Sequence, residues 1–125
     1  MGGYTKSLYN NTTGNNQAFG SFSLKKNTSG TLNNAFGYAA MEENTSGDCN
    51  TAMGHAVLNK NTTGCYNTAL GVQALYCNTT GGKNTAVGLC ALHSNTTADY
   101  NTGIGWRALL TNTTGARNTA TGMYA

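Results

Sequence analysis

The sequence is a tandem repeat with a period of 17 residues, and this period restricts the possible fold more than any other feature. The unit opens with Asn-Thr-Thr or Asn-Thr-Ser, followed by Gly in all copies but one, and its clearest copy reads NTTGCYNTALGVQALYC. The first asparagines of the seven copies are Asn11, Asn27, Asn44, Asn61, Asn78, Asn95 and Asn112. Residues 11–125 thus form a seven-repeat array with an incomplete last copy, and residues 1–10 form a degenerate leading repeat.

Four further columns of the repeat keep their residue type. A second asparagine column comprises Asn16, Asn33, Asn50, Asn67, Asn84, Asn101 and Asn118. A glycine column comprises Gly20, Gly37, Gly54, Gly71, Gly88, Gly105 and Gly122. A first apolar column, just before the glycine, comprises Phe19, Phe36, Met53, Leu70, Val87 and Ile104, with Thr121 in the last copy. A second apolar column, four residues after the glycine, comprises Leu24, Met41, Leu58, Leu75, Leu92 and Leu109.

These columns predict an all-β fold. A 17-residue unit is shorter than helix-pair repeats, which take about 33 to 47 residues, and Asn, Thr and Gly are weak helix formers. We expect a parallel β-solenoid, or β-roll, of about seven 17-residue coils, with two short strands in each coil. In one strand, alternation puts Thr68 and Leu70 on the opposite face from Asn67 and Ala69. Stacking like residues predicts two Asn ladders, a column of turn glycines and a core made of both apolar columns.

Charge and composition exclude several classes of function. Charged residues are 9% of the chain and the net charge is +3, so no strong field favours nucleic acid. The sequence contains no run of about 18 apolar residues, so membrane insertion is not predicted. His55 and His93 lie in different columns without a repeated carboxylate, so we predict no enzyme, no catalytic residue and no cofactor.

The four cysteines and the seven glycosylation sequons receive a structural interpretation. Cys49, Cys65, Cys77 and Cys90 occupy four different columns without CxxC spacing, which argues against a metal site. Cys49 and Cys65 fall in adjacent columns of neighbouring coils, so a disulfide between them is conceivable, with free thiols as the alternative. Each first-column asparagine is formally an N-glycosylation sequon, but the turn itself explains the asparagine.

Burial of so few large side chains favours self-association. Each coil supplies two large apolar residues, which at roughly 1.5–3 kcal/mol each barely offset the ordering of 17 residues. Small Ala and Gly columns would let neighbouring chains approach closely. We therefore expect a homo-oligomer, most simply a trimer.

The motif NTAxGxxAL, followed by NTTG, resembles the repeats of bacterial and phage tail-fibre-type proteins. More distantly, the segment from Asn67 to Gly71 is similar to the SVAIG motif in the heads of trimeric autotransporter adhesins. This resemblance spans residues 3 to 125. It implies a trimeric, left-handed parallel β-roll that extends or presents a receptor-binding end.

Three functions remain open at this point. The first is a structural and adhesive fibre shaft, located outside the cell, on the cell surface or on a virion, whose partners are further copies of itself and a receptor or glycan. Tyr38, Trp106 and Met123, in the column after the glycine, are candidate contacts for such a partner. The second function is ice binding by ranks of threonine, although alternation places Thr51, Thr68 and their equivalents on the same face as the apolar core. The third is a self-assembling filament module.

Overall fold

The computed structural model describes residues 14–125, which form a β-solenoid of about six turns with one short strand in each repeat. The strands are β1 (Gln17–Phe19), β2 (Asn34–Phe36), β3 (Thr51–Met53), β4 (Thr68–Leu70), β5 (Thr85–Val87), β6 (Thr102–Ile104) and β7 (Thr119–Thr121). They form one seven-stranded sheet in chain order. All six pairings are parallel. No helix occurs in the described part of the chain.

Neighbouring strands pair with an offset of one repeat, so equivalent residues meet. Thr51 pairs with Thr68, and Ala52 pairs with Ala69. The predicted all-β parallel solenoid with a 17-residue coil is therefore confirmed. The predicted leading repeat, residues 1–10, and the first-column Asn11 lie outside the described residues.

The prediction of a second strand in each coil is wrong. In the fourth coil, Ala74 and Leu75 lie in consecutive turns, and Ala74 donates its backbone N–H to the Gly71 carbonyl at 3.2 Å. Gln73 and Leu75 have φ values of 56° and 51°, which a β-strand does not allow. The coils still bond to one another here, because the Leu75 N–H donates to the Ala91 carbonyl at 3.0 Å.

The core is a narrow stack of one leucine column and two alanine columns. Leu75 from the second apolar column, Ala74 beside it and Ala69 from the strand are all fully buried. The strand column faces the leucine column: a Cβ placed on Gly103, which takes the alanine's position in its coil, would lie 3.2 Å from Leu92 Cγ. The interior therefore has room for one large side chain per coil, opposite a small one.

For this reason the first apolar column does not belong to the core, and its predicted burial is wrong. The strand alternates as expected, but alanine takes the inner face and the large residue points outward. Phe19 is 70% exposed and Met53 is 49% exposed, whereas Ala52, which precedes Met53 in the strand, is fully buried. The residues concerned are Phe19, Phe36, Met53, Leu70, Val87 and Ile104, each of them partly or largely exposed.

Because the inner and outer faces of the strand are the reverse of those predicted, the strand threonines also lie on the outer face. Thr51, Thr68, Thr85 and Thr102 lie on the partly exposed face of the sheet, alongside the first apolar column. The argument that these threonines share a face with the core is therefore wrong. The alanine column is also inside, so it cannot serve as the close-approach surface between chains.

Candidate functional site

The first asparagine column is a continuous ladder of side-chain amides. Asn61 Nδ2 donates to Asn44 Oδ1 at 2.8 Å and to the Gly64 carbonyl at 3.0 Å, while Asn61 Oδ1 accepts from Asn78 Nδ2 at 2.8 Å. The same pattern links Asn27 to Asn44, Asn78 to Asn95 and Asn95 to Asn112. Fully buried amides are thus satisfied in both directions along the axis, which avoids the cost of burying an unpaired polar group.

The second asparagine column bonds to backbone groups more than to its own side chains. Asn67 Oδ1 accepts the backbone N–H of Asn84 at 3.0 Å, and Asn67 Nδ2 donates to the Gly81 carbonyl at 2.8 Å. Equivalent acceptor bonds run from Asn16 to Asn118. This column therefore fixes each coil to the next at the corner before the strand.

The predicted turn glycines lie where the chain leaves the strand. Gly54 has a φ of 136°, and a Cβ on it would lie 2.9 Å from the Gly71 carbonyl carbon in the next coil. Glycine is needed there both for the left-handed backbone and for the close approach of the coils. Positive φ also occurs in Gly20, Gly37, Gly71, Gly88, Gly105 and Gly122.

The sequons and the cysteines are governed by this geometry. The first-column asparagines from Asn27 to Asn95 are fully buried, so an attached glycan has no space in the folded chain. All four cysteines are free thiols, and Cys49 and Cys65 do not form a disulfide. In the described range, no cluster of three or more His, Cys, Asp or Glu side chains is placed to hold a metal ion.

The two histidines belong to stacks of rings between coils. His55 stacks on Tyr38 with ring centroids 5.3 Å apart, and His93 stacks on Tyr76 at the same separation. Burial lowers the pKa of His93 below its ordinary value. Both histidines therefore act as flat packing partners for an aromatic ring.

Two exposed columns together form an apolar face on the solenoid. One is the first apolar column, and the other follows the glycine. The second of these carries the polar residues Ser21 and His55 and five apolar residues that are 42% to 66% exposed, namely Tyr38, Val72, Leu89, Trp106 and Met123. We call these two columns, with the glycines between them, the apolar face. It contains no charged residue and runs past every strand. From the sequence alone, the aromatic residues of the column after the glycine are candidate partner contacts, whereas the first apolar column is predicted to lie in the core.

A groove opens on a different part of the coil surface, between the fourth and sixth copies. It has a volume of about 310 Å³ and is lined by Thr63, Cys65, Tyr66, Thr80, Gly82, Lys83 and Asp99. Apart from Thr63 and Thr80, these residues lie in columns that vary from copy to copy, so their pattern carried no signal until the coils were stacked. We call this feature the Gly82 groove.

Comparisons with family models, with curated proteins and with solved structures find no match for this chain. Within residues 14–125, no helix is long and apolar enough to cross a membrane.

Proposed function

We propose that the chain is a non-enzymatic structural and adhesive shaft segment of an extracellular or virion-borne fibre, assembled from three copies of itself. The observation that carries this proposal is the apolar face. Large apolar patches on a folded surface mark places where a partner excludes water. Here the apolar patch recurs along the whole stack of coils, so the partner that fits it is a second copy of the chain, which carries the same repeat.

The inner packing supports the same conclusion. One leucine and two small residues per coil make a thin core, and the remaining large apolar side chains, such as Phe36 and Ile104, gain burial only by contact with another chain. At about 25 cal/mol per Å² of apolar surface removed from water, such contact stabilises each coil further. A rod that associates laterally in this way is suited to bearing load and presenting an end.

Light scattering on the purified chain tests the assembly. We expect a mass of about 39 kDa, three chains of 13.0 kDa each. Replacing Met53 and Ile104 together by lysine puts charge on the apolar face and should yield a folded monomer. The matched control replaces Ser46 and Thr97, which are exposed in another column, by lysine and should remain trimeric. A monomeric parent chain at millimolar concentration, or an equal effect of both variants, would contradict the proposal.

Ice binding is a second candidate, because the strand threonines Thr51, Thr68, Thr85, Thr102 and Thr119 form a rank on the outer face of a regular parallel sheet. The neighbouring rank on that face is apolar rather than threonine, which favours the shaft. The other threonine rank is engaged within the solenoid: Thr62 Oγ1 donates to the Thr79 carbonyl at 3.1 Å. Clear thermal hysteresis at micromolar protein would assign the ice function instead.

A further inference from the structure

The Gly82 groove exists because one copy of the repeat lacks a side chain where its neighbours have one. Thr31, Asp48, Cys65 and Asp99 occupy the equivalent position in other coils. Gly82 is absent from the residues with left-handed φ, so its φ does not require glycine. A Cβ on Gly82 would lie 2.8 Å from the Cys65 carbonyl oxygen, so a side chain here occupies the opening and also pushes against the backbone of the preceding coil.

The groove offers fixed groups of both hydrogen-bonding kinds. Asp99 Oδ1 accepts the Gly82 backbone N–H at 2.7 Å, which holds the carboxylate in place while leaving it capacity to accept further bonds. Lys83 Nζ donates to the Tyr100 hydroxyl at 2.8 Å and lies 4.8 Å from the centre of that ring. The hydrogen bond to Tyr100 raises the pKa of Lys83, so the amine stays a cationic donor.

An aromatic ring and two hydroxyl-bearing side chains complete the lining. Tyr66 is 59% exposed and borders the groove together with Thr63 and Thr80. A tyrosine presents a flat apolar surface with a polar tip. The positive charge of Lys83 and the negative charge of Asp99 balance, so the lining as a whole is close to neutral.

We propose that the Gly82 groove binds one unit of a neutral saccharide. A sugar ring has an apolar C–H face that suits Tyr66, and hydroxyl groups that both donate, as to Asp99, and accept, as from Lys83. The volume of about 310 Å³ lies at the lower end of the roughly 300–1,000 Å³ of small-molecule sites, which suits a single ring. Because the two charges balance, nothing in the lining favours an acidic sugar.

This proposal deepens the adhesive part of the proposed function by giving it a site and a ligand class. The groove uses none of the columns of the apolar face. A chain that assembles but does not bind sugar would therefore refute the site alone. A chain that binds sugar as a monomer would refute the trimeric shaft alone.

Solution NMR of the intact chain tests the site, with galactose, glucose and mannose as neutral probes and N-acetylneuraminate as the acidic one. We expect at least one neutral hexose to shift the amide signals of Tyr66, Thr80 and Gly82 with millimolar affinity. Tyr66→Leu places at this position the residue that Leu32 has in its own coil and removes the ring. Gly82→Thr introduces the residue that Thr31 has in its own coil and places a side chain in the opening. Each should weaken binding about tenfold or more.

The matched control is Ala116→Thr, which makes a similar substitution in the same column outside the groove and should bind like the parent chain. Folding of every variant is checked from its amide spectrum. The proposal is overturned if no neutral hexose shifts these signals at about 100 mM. It is equally overturned if only the acidic sugar binds, if both groove variants bind as the parent does, or if the control loses binding to the same extent.

Discussion

At the residue scale, buried asparagine is the side chain on which the stack depends. A fully buried amide offers two donors and one acceptor oxygen, and Asn61 uses these groups on the coil before, the coil after and its own turn. No other neutral side chain of that length both donates and accepts along one axis. This explains why the column admits asparagine in every copy, and why the sequence alone predicted a ladder at these positions.

We expect Asn61→Ala to lower the free energy of unfolding by about 3 kcal/mol, because it leaves buried partners in two coils unsatisfied at a cost of roughly 1–3 kcal/mol each. Asn61→Asp should be comparably destabilising at pH 7, since a buried carboxylate would face Asn44 Oδ1 without a proton to donate. Chemical denaturation measures both changes. The controls are Ser46→Ala and Ser46→Asp at an exposed site, which should stay within about 0.5 kcal/mol.

The aspartate variant carries a pH signature with a defined sign. Burial raises the folded-state pKa of the new carboxyl group above its unfolded value of about 3.9. The folded form then binds the proton more tightly, so the variant gains stability as the pH falls and loses it as the pH rises through the folded-state pKa. An Asn61→Asp profile parallel to that of the parent chain would contradict a buried amide ladder.

At the scale of the element, each three-residue strand has a small inner residue, alanine in all strands but β6, where it is Gly103, and two outer residues. The sequence predicted this alternation but not its phase. Two large apolar columns compete for one narrow interior, and nothing local tells which of Leu70 and Leu75 enters it. Nor did the sequence indicate the left-handed backbone conformations, because Tyr66, Gln73 and Leu75 adopt positive φ without the usual glycine or asparagine signal. Only the closed coil imposes these conformations.

The phase of the strand is tested by a pair of adjacent substitutions. Ala69→Val adds volume to a fully buried position and should destabilise the chain by roughly 1–3 kcal/mol. Leu70→Thr, which introduces the residue that Thr121 has in the last copy, should change the stability of the single chain by far less. Both are measured by thermal unfolding of dilute, monomeric protein. The reverse order of effects would mean that the large column is the inner one.

At the scale of the whole molecule, the solenoid behaves as a one-dimensional stack in which each coil contacts its two neighbours. Its charged groups follow the same rule: Lys26 Nζ lies 2.7 Å from Glu43 Oε2, and Lys25 Nζ lies 3.6 Å from Glu42 Oε1, in successive coils. Such exposed pairs contribute about 0–1 kcal/mol each. The register of the coils therefore comes from the buried asparagine ladders, and their cohesion comes from the buried leucine and alanine columns. The period of the repeat predicted this architecture. The Gly82 groove could not be predicted in the same way, because it arises where single copies depart from the consensus sequence of the repeat.

Scalar couplings measured through hydrogen bonds by NMR test the stacked register most directly. The account predicts couplings from the backbone nitrogen of each core leucine or methionine to the carbonyl 16 residues further on. The pairs are Leu24 to Ala40, Met41 to Val57, Leu58 to Ala74, Leu75 to Ala91, Leu92 to Ala108 and Leu109 to Ala125. Couplings from these leucine and methionine nitrogens to carbonyls at another spacing, such as the four residues of a helix, would contradict the solenoid and every proposal that rests on it.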